Sequence, residues 1–196
     1  MIGVSQLKIV YLGWGSLIWD PRNLKIKSEW YYDGPFLPVE FARASKNGRL
    51  TLVLYQYAEK LPVLWTYSHY NEISQAIENL IIREKTSKSS IGFLSINENK
   101  KNCNAVPSVS ENIRNWAIEK EIDSVIWTDL SSNFEEKTKK PFNTNNVIKY
   151  LQELPDNKKQ IAREYIKKAP LQIMTPLRKE IEKTLGWEHG ITQNSN

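Results

Sequence analysis

Residues 36–57 read FLPVEFARASKNGRLTLVLYQY, and this stretch decides the fold. Two runs rich in aliphatic and aromatic residues, Phe36 to Ser45 and Arg49 to Tyr57, flank the dipeptide Asn47-Gly48. That dipeptide supplies the positive φ angles of a tight turn and is the strongest short-range sign of a β-hairpin. The first half of the chain is thereby read as antiparallel sheet.

Outward from the hairpin the same signal recurs. Leu7 to Leu12 is a short apolar run ending at Gly13, and Leu61 to Tyr67, Ser90 to Ile96 and Ser124 to Leu130 are three more. Between them, Ile73, Ala76, Ile77, Leu80 and Ile81 repeat at three- and four-residue spacing and predict a helix over Glu72 to Lys85. Four further helices are predicted. Ser108 with Glu111 forms a capping box, Thr144 and Asp156 cap the next two, and Thr175-Pro176 opens the last, which Gly186 stops. Ala169-Pro170 separates the final pair. The expected class is α+β: a small, mostly antiparallel mixed sheet or barrel with flanking helices and a helical C-terminal extension. The expected organisation is a domain over 1–135, the extension over 136–190 packed on it, and a frayed tail over 191–196.

Composition excludes several classes. With 196 residues, 40% hydrophobic and 25% charged, the chain is neither collagen-like nor of low complexity. No apolar run reaches the roughly 18 residues of a membrane span, and Met1 to Lys8 carries no signal-peptide pattern. Cys103 is the single cysteine, so an internal disulfide and a cysteine-based zinc site are excluded. His69 and His189 are too few for a metal cluster, and neither a metal nor a cofactor is expected. The expected compartment is the reducing cytoplasm. The net charge of +5 is uneven: Lys137 to Lys183 holds 12 basic and 5 acidic residues. Such a run is a solvated helix face or a surface for an anionic partner.

Two features could carry chemistry. The first is the loop Gly13-Trp14-Gly15-Ser16-Leu17, where two glycines around an aromatic let backbone N–H groups approach an anion. A strand-ending turn whose tryptophans fill the core is the plain alternative. The second is Glu84, which falls on the apolar face of its helix by the count from Ile73, Ile77, Leu80 and Ile81. A carboxylate there reaches solvent, pairs with a cation such as Arg43 or Lys88, or lies in a pocket as a general base. Lesser candidates fall away. Glu40 and Arg43 sit at odd spacing in a strand and so point to opposite faces. Asp129 ends a strand but equally starts a turn. Cys103 and Ser16 lack the context of a nucleophile.

The stretch Tyr11-Leu12-Gly13-Trp14-Gly15-Ser16-Leu17-Ile18-Trp19-Asp20-Pro21 resembles the opening of the γ-glutamylcyclotransferase-like superfamily, with its aromatic-Gly-Ser-Leu loop after the first strand. Val63-Leu64-Trp65, followed by a helix ending in Arg83-Glu84, is similar to that family's strand, helix and glutamate. The resemblance covers about Lys8 to Ile96 and is absent over the C-terminal helices. Trp14 stands where a tyrosine is usual, and Lys85 where a glycine is usual. The resemblance implies an enzyme that releases 5-oxoproline from a γ-glutamyl amine or amide, a transferase- or lyase-type cyclisation. It implies Glu84 as the catalytic base and Trp14, Gly15, Ser16 and Leu17 as the substrate-binding loop. The implied partner is a small γ-glutamyl molecule rather than a membrane. Two other readings stand beside it: a non-catalytic ligand- or partner-binding module on the same fold, and nucleic-acid binding through the basic C-terminal helices, with Tyr150, Tyr165 and Trp187 as stacking platforms.

Overall fold

The structure is a computed structural model that describes residues 6–188; His189 and the tail expected over 191–196 lie outside the described residues. The strands are β1 (Ile9–Gly13), β2 (Phe36–Ala44), β3 (Leu50–Leu54), β4 (Lys60–Pro62), β5 (Leu64–Tyr67), β6 (Ile91–Ser95), β7 (Lys100–Asn102) and β8 (Ser124–Thr128). The helices are α1 (Ile73–Glu84), α2 (Pro107–Glu119), α3 (Phe134–Thr138), α4 (Thr144–Glu153), α5 (Asp156–Lys168) and α6 (Pro176–Leu185). The class is α+β.

The strands form two sheets, not one closed barrel: a five-stranded sheet ordered β5-β1-β8-β6-β7 and a three-stranded one ordered β3-β2-β4. Only β1 and β8 pair in parallel; the other ladders are antiparallel. The apolar run Leu61 to Tyr67 is read by sequence as one strand, yet it divides at Val63. Its first part pairs with β2 and its second with β1, so the chain steps from one sheet to the other.

Strand alternation explains the layers. Ile9 and Tyr11 of β1 face a cluster with Ala76, Ile77 and Leu80 of α1, while Val10 and Leu12 face a second, larger cluster. That larger core joins the three-stranded sheet to α2 and to α4, α5 and α6. Val147, Leu151, Ala162, Ile166 and Ile181 from the C-terminal helices are all fully buried in it. The C-terminal helices and the sheets therefore share one continuous core.

The turn at Asn47-Gly48 is longer than a two-residue loop. Ser45 N–H donates to Arg49 O, Gly48 N–H donates to Ser45 O, and of the turn residues only Gly48 has positive φ, at 80°. This is the three-residue hairpin in which a glycine closes the turn in the left-handed region. Two helix caps also differ from expectation. Pro107 opens α2 after Val106, with no side-chain cap from Ser108. Asn143 rather than Thr144 caps α4, accepting from Asn146 N–H, and Asp156 is the first residue of α5 and not its cap. At α6 the expected cap holds: Thr175 accepts from Arg178 N–H, Pro176 opens the helix, and Gly186 ends it at φ 65°.

Candidate functional site

Topology brings the two sequence-selected features together. Parallel β1 and β8 end at the same edge of the sheet, so the loop after Gly13 and the residues after Thr128 emerge side by side. Such an edge, outside the carboxyl ends of parallel strands, is a common place for a ligand crevice. Strand β5 runs against β1 and delivers the chain to the opposite edge, from which α1 returns to end at Glu84. Trp14, Gly15, Ser16, Leu17 and Glu84 consequently line one cavity of about 280 Å³.

Arg83 ties the loop to the helix end. Its side chain is only 3% exposed, and Nη1 donates to Glu84 Oε1 at 2.7 Å. Its Nη2 donates to Asp20 O at 2.6 Å and to Ser16 Oγ at 3.3 Å. Glu84 is 19% exposed on its side chain and also accepts from Thr128 Oγ1 at 3.3 Å. One buried guanidinium thus fixes both halves of the site, and bonds to charged groups are stronger than neutral ones. The cation partner of Glu84 is its own neighbour, not Arg43 or Lys88.

The backbone at Lys85 is one that glycine adopts most easily. It has φ 52° and ψ 48°, with its N–H on Ile82 O and the N–H of Thr86 on Ile81 O. This is a Schellman ending, whose left-handed residue is usually glycine because a Cβ is penalised there. The lysine side chain is exposed and does not line the cavity.

The glycines of the loop are needed for a different reason from the one expected. Neither Gly13 nor Gly15 has positive φ. A Cβ on Gly13 would stand 2.7 Å from the Trp30 ring, and one on Gly15 would stand 2.6 Å from the Tyr165 hydroxyl. Tyr165 comes from α5, a part of the chain outside the family resemblance. Its hydroxyl is faced by the N–H groups of Leu52 and Ser16, and burial pushes its pKa up to about 12, so it stays protonated. Trp14 meets the same edge of β3 by donating from Nε1 to Leu52 O at 3.2 Å. Of the loop amides expected to hold an anion, Ser16 N–H faces the tyrosine. The N–H groups of Gly15 and Leu17 donate to no backbone carbonyl among the described residues.

The remaining wall comes from the β2–β3 hairpin: Arg43, Ser45, Arg49, Thr51 and Leu52. Sequence parity placed Glu40 and Arg43 on opposite faces, and the structure corrects this. The register slips by one residue between Glu40↔Val53 and Arg43↔Thr51, so both oppose β3 residues two apart and share a face. They still do not pair. Glu40 is buried against Thr175 Oγ1 at 2.6 Å, whereas Arg43 donates to Ser131 O at 2.7 Å.

Other candidates lie elsewhere. Asp129 is buried, accepts from Asn104 N–H, and faces a separate cavity of about 460 Å³ that contains neither Glu84 nor the Gly15 loop. Burial pushes the Cys103 thiol up, away from a reactive thiolate. His69 is exposed, with its N–H on Lys25 O. Among the described residues no three His, Cys, Asp or Glu side chains stand together as a metal site. No helix among them is long and apolar enough to cross a membrane. Of the three aromatics named as stacking platforms, Tyr165 and Trp187 are buried, and half-buried Tyr150 donates its hydroxyl to Gly48 O.

Sequence reasoning missed Arg49, Thr128 and Tyr165 and gave Arg83 no role of its own. The spacing Ala76, Leu80, Arg83 puts Arg83 on the buried face by the same count that selects Glu84. No local pattern marks the other three. Comparison of the chain with family models, with curated proteins and with solved structures finds no match.

Proposed function

We propose that the chain is a γ-glutamyl cyclotransferase-like enzyme that releases 5-oxoproline from a γ-glutamyl amine or amide. The observation that supports this reading is the joining of Glu84 and the Gly13–Leu17 loop on one cavity by the buried Arg83. The chemistry asks little of a protein, because nucleophile and electrophile belong to the same molecule and only their approach must be set.

In the proposed reaction Glu84, as carboxylate, takes a proton from the α-ammonium of the γ-glutamyl group. The freed amine attacks the γ-carbonyl carbon, forming the lactam C–N bond and an oxyanion. The bond to the departing amine then breaks as that amine takes the first proton from Glu84, and the ring nitrogen gives its second proton through the Glu84 carboxylate to the released amine, which leaves as an ammonium while Glu84 ends as it began. Hydrogen-bond donors are needed at the oxyanion, and Gly15, Leu17 and Tyr165, which line the same cavity, offer two backbone N–H groups and a protonated hydroxyl. Thr128 and Arg83 hold the Glu84 carboxylate in place.

The test is release of 5-oxoproline by the full chain from a panel of γ-glutamyl compounds. Steady release from at least one member, dependent on enzyme concentration, is the expected result. A folded protein that turns over none of them contradicts the reading.

A further inference from the structure

Thr128 and Asp129 are consecutive at the end of β8, yet they line two different cavities. We propose that the one lined by Asp129, of about 460 Å³, is a second binding site, for a small organic ammonium ion. Neither Glu84 nor the Gly13–Leu17 loop belongs to it. Its volume is that of a small-molecule site. Asp129 is 4% exposed and forms no salt bridge among the described residues. Its Oδ2 accepts the N–H of Asn104, and Oδ1 accepts no hydrogen bond among the described residues. The Trp127 indole N–H faces the carboxylate without meeting an acceptor in hydrogen-bond geometry. Holding Asn104 requires only a neutral acceptor, so the charge of Asp129 is unmatched within the protein. A buried carboxylate without a countercharge is costly, and burial pushes its pKa up. A cation entering the cavity supplies the missing partner and recovers that cost.

The walls point to an organic cation in particular. Tyr55 packs edge to face with Tyr57 and Phe142, at 5.4 and 5.0 Å between ring centres, and Phe142 packs likewise on Phe134 at 5.5 Å. These rings all line the cavity. Edge-to-face packing leaves ring faces uncovered that parallel stacking would hide, and those negative faces attract a cation. Charge agrees. Asp129, Glu135 and Glu136 line the cavity, and no Lys, Arg or His among the described residues does. Exposed Glu136 meets Lys137 at 3.9 Å, whereas Glu135 gives Oε1 only to the Phe142 N–H. Among the described residues no three acidic, His or Cys side chains stand together to hold a metal ion. A buried carboxylate, aromatic walls and exposed acids suit an ammonium that carries alkyl groups, and they repel an anion.

The test is calorimetric titration of the full chain with butylammonium, with choline, and with the uncharged isostere of choline in which carbon replaces nitrogen. The better of the two cations should bind about 10- to 100-fold more tightly than the isostere. Asp129→Asn keeps an acceptor for the Asn104 N–H but carries no charge. It should weaken cation binding by about 10-fold or more, leave the isostere unchanged and not lower the melting temperature. Tyr55→Leu removes a ring face without emptying the wall and should also weaken the cation, which gives a second reading if Asp129→Asn does not fold. No binding of either cation at millimolar concentration overturns the site, as does an isostere that binds as tightly as the better cation. Cation binding that survives both Asp129→Asn and Tyr55→Leu places the ion elsewhere and overturns the site as well.

Discussion

The Tyr165 hydroxyl stands 2.6 Å from the point where a Cβ on Gly15 would be, so helix α5 and the loop after β1 are fitted to each other at this one glycine. Helix α5 is thus part of the cavity as well as of the core. Gly15→Ala forces either the loop or the buried tyrosine to move, and overpacking of this kind costs about 1–3 kcal/mol. Tyr165→Phe removes the offending atom. Denaturant melts of wild type, both single variants and the double variant should show a combined loss smaller than the sum. Strict additivity would mean that the two residues do not meet.

How far this site could be read from sequence follows from where its residues lie. Glu84 was found because helical periodicity is regular from Ile73 onward, and the loop because Gly13 and Gly15 punctuate a strand end. Strand parity failed at Glu40 and Arg43 because one slipped register resets it, a backbone event that leaves no residue signature here. Tyr165 looks like core, sharing the buried face of α5 with Ala162 and Ile166, and only its contact with Gly15 gives it a place in the site. The split at Val63 was hidden because both sheets want the same apolar side chains. The fold class was legible, whereas residues brought in from distant parts of the chain were not.

Lys85 offers a test of the helix ending apart from the chemistry. With φ at 52° and its side chain exposed, Lys85 bears a strain that glycine does not. Lys85→Gly should raise stability by about 1 kcal/mol. Turnover per folded molecule should stay at the wild-type level, since the lysine does not line the cavity. A lower melting temperature would contradict the assignment of this ending.

Glu40 predicts a pH dependence of stability. Burial, opposed by hydrogen bonds from Thr175 and the N–H groups of Phe41 and Leu177, raises its pKa from 4.5 to about 6. The folded state therefore holds this proton more tightly than the unfolded chain. Its stabilising contribution is full below pH 4.5 and is lost as pH rises through about 6. Against Glu40→Gln, the wild type should lose about 2 kcal/mol of relative stability between pH 4.5 and 7.5. A difference that does not change with pH, or changes the other way, would show that the carboxyl is not buried as described.

The central claim is that Glu84 moves a proton and does more than anchor Arg83. Glu84→Gln preserves size and an acceptor for Arg83 Nη1 but cannot serve as a base at neutral pH. The decisive measurement is 5-oxoproline release from a γ-glutamyl substrate, taken with thermal melting on the same preparation. Removal of a general base predicts a fall in kcat per folded molecule of about 100-fold or more with substrate affinity little changed, while the lost countercharge of buried Arg83 lowers the melting temperature. Wild-type turnover in a fully folded Glu84→Gln variant would contradict the account.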